Sequence, residues 1–145
     1  MAEGAPGSVT PATVLQDGRA KAYRPKPPAE RAAAFEAGLA AYDRGDFFLA
    51  HELLEPAWMG TADIGERELY QGLIKLAAAY VHDVRGNPLG VAKNLEGARA
   101  RLDAAREAGF DGGLDLDDLI AAVDDRLATG EAADDDPPIV RRRPR

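Results

Sequence analysis

The 145 residues include no cysteine. That excludes disulfides, thiolate metal sites and cysteine nucleophiles, and it fits a reducing compartment. Histidine is scarce, with only His51 and His82, so any imidazole chemistry must pass through those two positions. Aromatic residues are 6% of the chain, with Trp58 the single tryptophan. No apolar run is long enough to span a bilayer, and no signal-peptide core opens the chain. The expected location is therefore cytoplasmic, with no membrane partner. Positive charge is in deficit, with 18 Lys and Arg against 25 Asp and Glu and a net charge of −7. An acidic balance argues against nucleic acid as the main partner.

What is present favours a globular helical protein. Hydrophobic residues make up 46% and charged residues 30%, the balance of a chain that buries a core. Alanine is used heavily and β-branched residues sparsely, which favours helix. The length suits one domain. Composition divides it into a Gly/Pro-rich arm over residues 1–27, expected to be disordered, a helical domain over 28–130, and a charged tail over 131–145. The tail's acidic and basic runs, ending in RRRPR, are expected to be solvated.

Five helices are expected between the tails. The first covers about 28–44, with Pro28 in its first turn and Gly45 after its end. The second runs from Phe47 to about Trp58. The third spans about 63–85, with Asp63 and Glu66 spaced as a capping box. The fourth begins at Asn87-Pro88 and stops before Gly109, and the fifth covers about 115–128. Short connections imply antiparallel neighbours. "GDFFLAHELLEPA" and "GNPLGVAKNLEGA" echo each other weakly. The expected fold is all-α, two antiparallel helix hairpins plus a C-terminal helix, weakly tetratricopeptide-like.

The second helix is apolar nearly all round, which normally means burial. Yet Phe48, His51, Glu55 and Trp58 fall on one face, and Glu52 adjoins His51. Buried acids and imidazoles need partners. They can bond one another and a neighbouring helix as a structural strut, the commoner outcome for a His–Glu pair one turn apart. They can hold a metal ion, or do acid–base work in a cleft. An antiparallel third helix would bring His82 towards His51, with Gln71 on the same line as His82. Two histidines plus Glu55, and less readily Glu52, would suit zinc, iron or manganese. The pattern is not that of the zincins, because "HELLE" has Glu where a second His is required. Trp58 needs an acceptor for its indole N–H, and Glu55 is placed to supply one. Pro56 forfeits a helical hydrogen bond and is expected to kink or end the helix.

"GDFFLAHELLEPAW", "LYQGLIKLAAAYVH" and "GNPLGVAKNL", in that order, resemble the domain of unknown function 309 family of bacteria and archaea. The resemblance spans about residues 31–102. It rests on His51, Glu55 and Trp58 in a His-x-x-x-Glu-x-x-Trp motif, on Gln71 to Ile74, on His82, and on Gly86-Asn87. It implies a compact all-helical fold and a motif suggested to bind metal, with no established activity. Two functional expectations follow. One is a metal-binding protein, with metal-dependent hydrolysis as the reaction such a site would suit, using His51, Glu55, His82 and Glu52 with Phe48, Trp58, Gln71 and Asn87 as the supporting cluster. The other is a non-enzymatic helical scaffold for a protein partner or a second copy, with the polar cluster as a structural lock.

Overall fold

The computed structural model describes residues 13–129 and 136–144. Two strands, β1 (Thr13–Gln16) and β2 (Arg19–Ala22), precede five helices: α1 (Pro28–Asp43), α2 (Phe47–Met59), α3 (Ile64–Val84), α4 (Pro88–Glu107) and α5 (Leu116–Thr129). Each helix packs on its sequence neighbours, α1 on α2, α2 on α3, α3 on α4 and α4 on α5. The architecture is helical, as expected, with one small hairpin added.

The helix ends follow local chemistry. Asp63 caps α3 by accepting the Glu66 N–H at 2.8 Å. The return half of the box is absent, because Asp63 N–H donates to Thr61 and the Glu66 carboxylate turns to other donors. Asn87 caps α4 through the Gly90 N–H. Three helices end in the same turn. Gly45, Gly86 and Gly109 all have positive φ, and the residue after each donates five residues back, to Ala41, His82 and Ala105. This is the Schellman arrangement, which favours glycine because it lacks a Cβ. α2 continues through Pro56 to Met59. Pro56 falls in the final turn, where it forfeits a single bond, and the exposed Glu52 presents its freed carbonyl near water.

α3 lies at the centre, with buried residues on most of its surface. Leu69, Leu73, Leu76, Ala77 and Tyr80 form the core with Leu54 of α2, Leu95 and Leu102 of α4, and Leu119 and Val123 of α5. Burying each large side chain contributes about 1.5–3 kcal/mol. Gly72 lets α4 approach closely, since a Cβ there would sit 2.8 Å from Leu102 Cδ2.

Both expected tails contain ordered structure. Residues 13–22, expected to be disordered, form an antiparallel hairpin in which Gln16 pairs with Arg19. Asp17 and Gly18 both have positive φ, the requirement of a two-residue type I′ turn, which Asp-Gly meets well. Beyond it, Arg24 N–H bonds Met59 O at 2.7 Å and Lys26 N–H bonds Gly60 O at 3.0 Å. Residues 1–12 lie outside the described residues. At the other end, residues 136–144 dock on the helices instead of extending into solvent. Tyr42 donates to Pro138 O at 2.7 Å, Asp115 N–H to Arg141 O, and Arg143 N–H to Gly113 O. Val140 packs against the core. The apolar Pro137–Val140 segment supplies the burial that charge alone did not suggest. Residues 130–135 and 145 lie outside the described residues.

Candidate functional site

The polar centre of the molecule lies where the hairpin meets α2 and the first turns of α3. "GEREL" places Glu66, Arg67 and Glu68 consecutively on α3, and all three are buried. Three successive helical residues point in three directions, so each needs its own partners.

Arg67 is 0% exposed. Its Nε donates to Gln16 Oε1 at 3.2 Å, one terminal nitrogen to the carbonyls of Trp58 and Thr61, both at 3.0 Å, and the other to Ala22 O at 3.2 Å. Its Cζ stands 4.8 Å from the Trp58 ring centroid, a cation–π contact. Burial pulls the Arg67 pKa below its ordinary value, partly countered by Glu68 and Tyr23. One guanidinium thus ties together β1, the end of β2, the end of α2 and the loop before α3.

Gln16 is 1% exposed and occupies the middle of this cluster. Its Oε1 accepts from Arg67 and, at 2.9 Å, from Trp58 Nε1. Its Nε2 donates to Gln71 Oε1 at 2.7 Å and to Glu68 Oε1. Glu68 also receives Arg101 of α4 at 2.8 and 3.1 Å, and Arg101 reaches Asp17 in the hairpin turn. Glu66 faces the other way. It accepts from Arg31 of α1 at 2.8 Å, Tyr70 at 2.7 Å and Thr61 at 3.0 Å. Burial raises its pKa, but the bonds from Arg31, Tyr70 and Thr61 outweigh this and hold it below the ordinary value. Tyr70 shifts upward, through burial and then its bond to Glu66.

The residues singled out from sequence divide between this cluster and elsewhere. Trp58 and Gln71 are joined, bridged by Gln16. The indole acceptor is Gln16, not Glu55, and Gln71 accepts from the same amide that satisfies Glu68. His51 and Glu55 are half-buried on α2, while Glu52 and Phe48 are exposed. His51 Nδ1 is buried and has no hydrogen-bond partner among the described residues. His82 and Asn87 come together at the α3–α4 turn, with Asn87 Nδ2 at 3.2 Å from His82 Nδ1. Among the described residues, no three His, Asp or Glu side chains converge in a way that could hold a metal ion. The set of His51, Glu55, His82 and Glu52 is therefore not gathered into one site.

Sequence reasoning passed over Gln16, Arg67, Glu68 and Arg101. Two signals were available. Asp17-Gly18 between alternating residues is a hairpin turn signal, and three adjacent charges inside an otherwise apolar helix require burial partners.

Among the described residues, no helix is long and apolar enough to cross a membrane. The chain is 33% identical over 91 residues to an uncharacterized protein of Aquifex aeolicus (strain VF5). The aligned region is 63% of this chain and 27% of that protein, so the chain spans about a quarter of the length of the curated relative. No solved structure matches it. The family profile covers residues 35–94, from Phe35 in α1 to Asn94 in α4, so Gln16, Asp17 and Arg101 lie outside it. Through this central segment, with Trp58, Arg67 and Gln71 inside it, the chain matches the family described as Domain of unknown function (DUF309).

Proposed function

We propose that the protein is a helical scaffold for a protein partner, and that its buried polar cluster is a structural lock. The observation that carries this reading is the coordination of Arg67. Its guanidinium is fully buried and bonds four acceptors drawn from the hairpin, α2 and the following loop. Trp58 and Gln71, both among the residues singled out from sequence, have side-chain bonds within the same cluster. Groups so occupied fix geometry and are not offered to a substrate. Support for a partner comes from the opposite end of α2 and α3. Phe48 is 57% and Val84 79% exposed there, beside Phe47 and Val81, and exposed apolar surface of this kind favours protein contact.

A second reading, metal binding, draws on His51. Its unpartnered Nδ1 is a ligand atom, and Glu55 lies one turn further along the same helix face. These two side chains fit part of a zinc, iron or manganese site. His51 would supply an imidazole nitrogen and Glu55 a carboxylate oxygen, and a metal held there would supply Lewis acidity.

The two readings separate in one experiment. Metal content is measured on untagged full-length protein and on His51→Ala, alongside their melting temperatures and that of Trp58→Phe. The scaffold reading expects no stoichiometric metal, and a larger melting loss for Trp58→Phe, which breaks the lock, than for His51→Ala. Stoichiometric metal that disappears in His51→Ala overturns it in favour of the second reading.

A further inference from the structure

The second half of α3 faces α4 across a groove of about 590 Å³. Its shape comes from paired seven-residue spacings. On α3, Lys75 and His82 are two turns apart, and on α4 so are Gly90 and Gly97. Each α3 side chain rests on one of the glycines. A Cβ at Gly97 would stand 2.9 Å from Lys75 Cδ, and one at Gly90 would stand 2.6 Å from His82 Cγ. The glycines thus leave room for a lysine and an imidazole to lie along the groove floor.

The groove is cationic in a chain of net charge −7. Lys75 and Lys93 line it, and none of its lining residues is acidic. Among the described residues, neither lysine has a carboxylate within ion-pair distance. Arg101, close by, is by contrast paired with Glu68 and Asp17. Lys75 is half-buried. Its pKa is drawn down by burial first, then by the nearby cations Arg101, Lys21 and Lys93.

His82 adds a directed donor. Asn87 Oδ1 accepts the Gly90 N–H, which fixes the orientation of the Asn87 amide. Asn87 Nδ2 therefore donates to His82 Nδ1, and the neutral ring carries its proton on Nε2. The first turn of α4 also borders the groove, through Asn87, Leu89 and Gly90, and a helix N-terminus carries partial positive charge. Leu89, 83% exposed, adds an apolar side to the rim.

We propose that this groove binds a small phosphorylated molecule, its phosphate held between Lys75 and Lys93 and its organic part lying towards His82 and Leu89. Two ammonium groups match a dianion with several acceptor oxygens, and the His82 N–H further along the groove is a donor for a polar group of the organic part. The volume is that of a small-ligand site. The protein's overall negative charge repels a long polyanion, which favours a small ligand over a nucleic-acid backbone.

The test is a titration of the full chain with phenyl phosphate, followed by amide chemical shifts, against sodium chloride at equal ionic strength. Expected are saturable shifts confined to Lys75, His82 and Asn87–Gly97. Lys93→Gln alters an exposed residue and keeps the fold intact, and it weakens binding roughly tenfold. Lys75→Gln weakens binding to a similar extent, and Lys26→Gln, remote from the groove, changes nothing. Absence of saturable shifts at millimolar phenyl phosphate overturns the proposal. Equal weakening by Lys26→Gln overturns it too, as does a single-stranded oligonucleotide that displaces phenyl phosphate at lower phosphate concentration, which would make the groove a nucleic-acid surface.

Discussion

The two halves of α3 treat charge in opposite ways. In the first turns, Glu66, Arg67 and Glu68 are buried and each is bonded to partners on other elements. In the second half, Lys75 and His82 line an open groove, and among the described residues the charge on Lys75 has no acid paired with it. The contrast follows from desolvation. A buried charge left unpaired costs several kcal/mol, so the first half must be complementary or the fold fails. A half-buried charge at an open groove keeps part of its hydration, so it can stand without an acid partner and receive a ligand. One half of the helix is committed to stability, and the other is available for recognition.

The largest effect should come from breaking the buried half. Arg67→Met removes the guanidinium donor from the Trp58, Thr61 and Ala22 carbonyls and leaves Gln16 Oε1 with Trp58 Nε1 alone, and we expect a loss of about 3–5 kcal/mol in urea unfolding. A loss below that of an ordinary surface substitution would show that the cluster is not the lock.

Glu66→Gln should cost less at neutral pH, about 1–3 kcal/mol, and its dependence on pH carries the information. The folded-state pKa of Glu66 lies below its ordinary value of 4.5. Its contribution is therefore fully present above that value and is lost as pH falls through the lower folded pKa. The stability gap between wild type and Glu66→Gln should narrow steadily as pH drops below 4.5, read by unfolding curves at several acidic pH values. A constant gap would mean that the carboxylate's charge is not what matters.

The smallest effect belongs to the open half. Lys75→Gln removes a cation crowded by Arg101, Lys21 and Lys93, and stability should stay within about 0.5 kcal/mol of wild type, with a gain as acceptable as a loss. A cost comparable to that of Arg67→Met would erase the distinction between the two halves.

The helices were legible because their determinants are local. Asp63, Asn87, Pro28 and the three turn glycines each act within a few residues, and α3's apolar stripe is continuous in sequence. The site was less legible because its bonds are distant. Trp58 and Gln16 are 42 residues apart, and Arg67 and Gln16 are 51 apart. No periodicity reveals such pairings. The motif drew attention to His51, Glu55 and Trp58 on one helix face, yet only Trp58 joins the cluster, because its partner arrives on a hairpin that composition had marked as disordered. The C-terminal residues misled in the same way. Their arginines suggested only solvated charge, but Arg142 and Arg143 pair with Glu36 and Asp111 while Pro138 and Val140 pack inward beside them.

That docked segment has a kinetic consequence. The helices touch in sequence order, so the stack can assemble by adding neighbours, a topology of low contact order that folds quickly. The bond from Tyr42 to Pro138 spans 96 residues, and it joins the first helix to chain that follows the last. It can close only after the intervening helices are in place. The C-terminal strap is thus the final clasp of assembly, and its release is the first step by which the protein can open without unstacking its core.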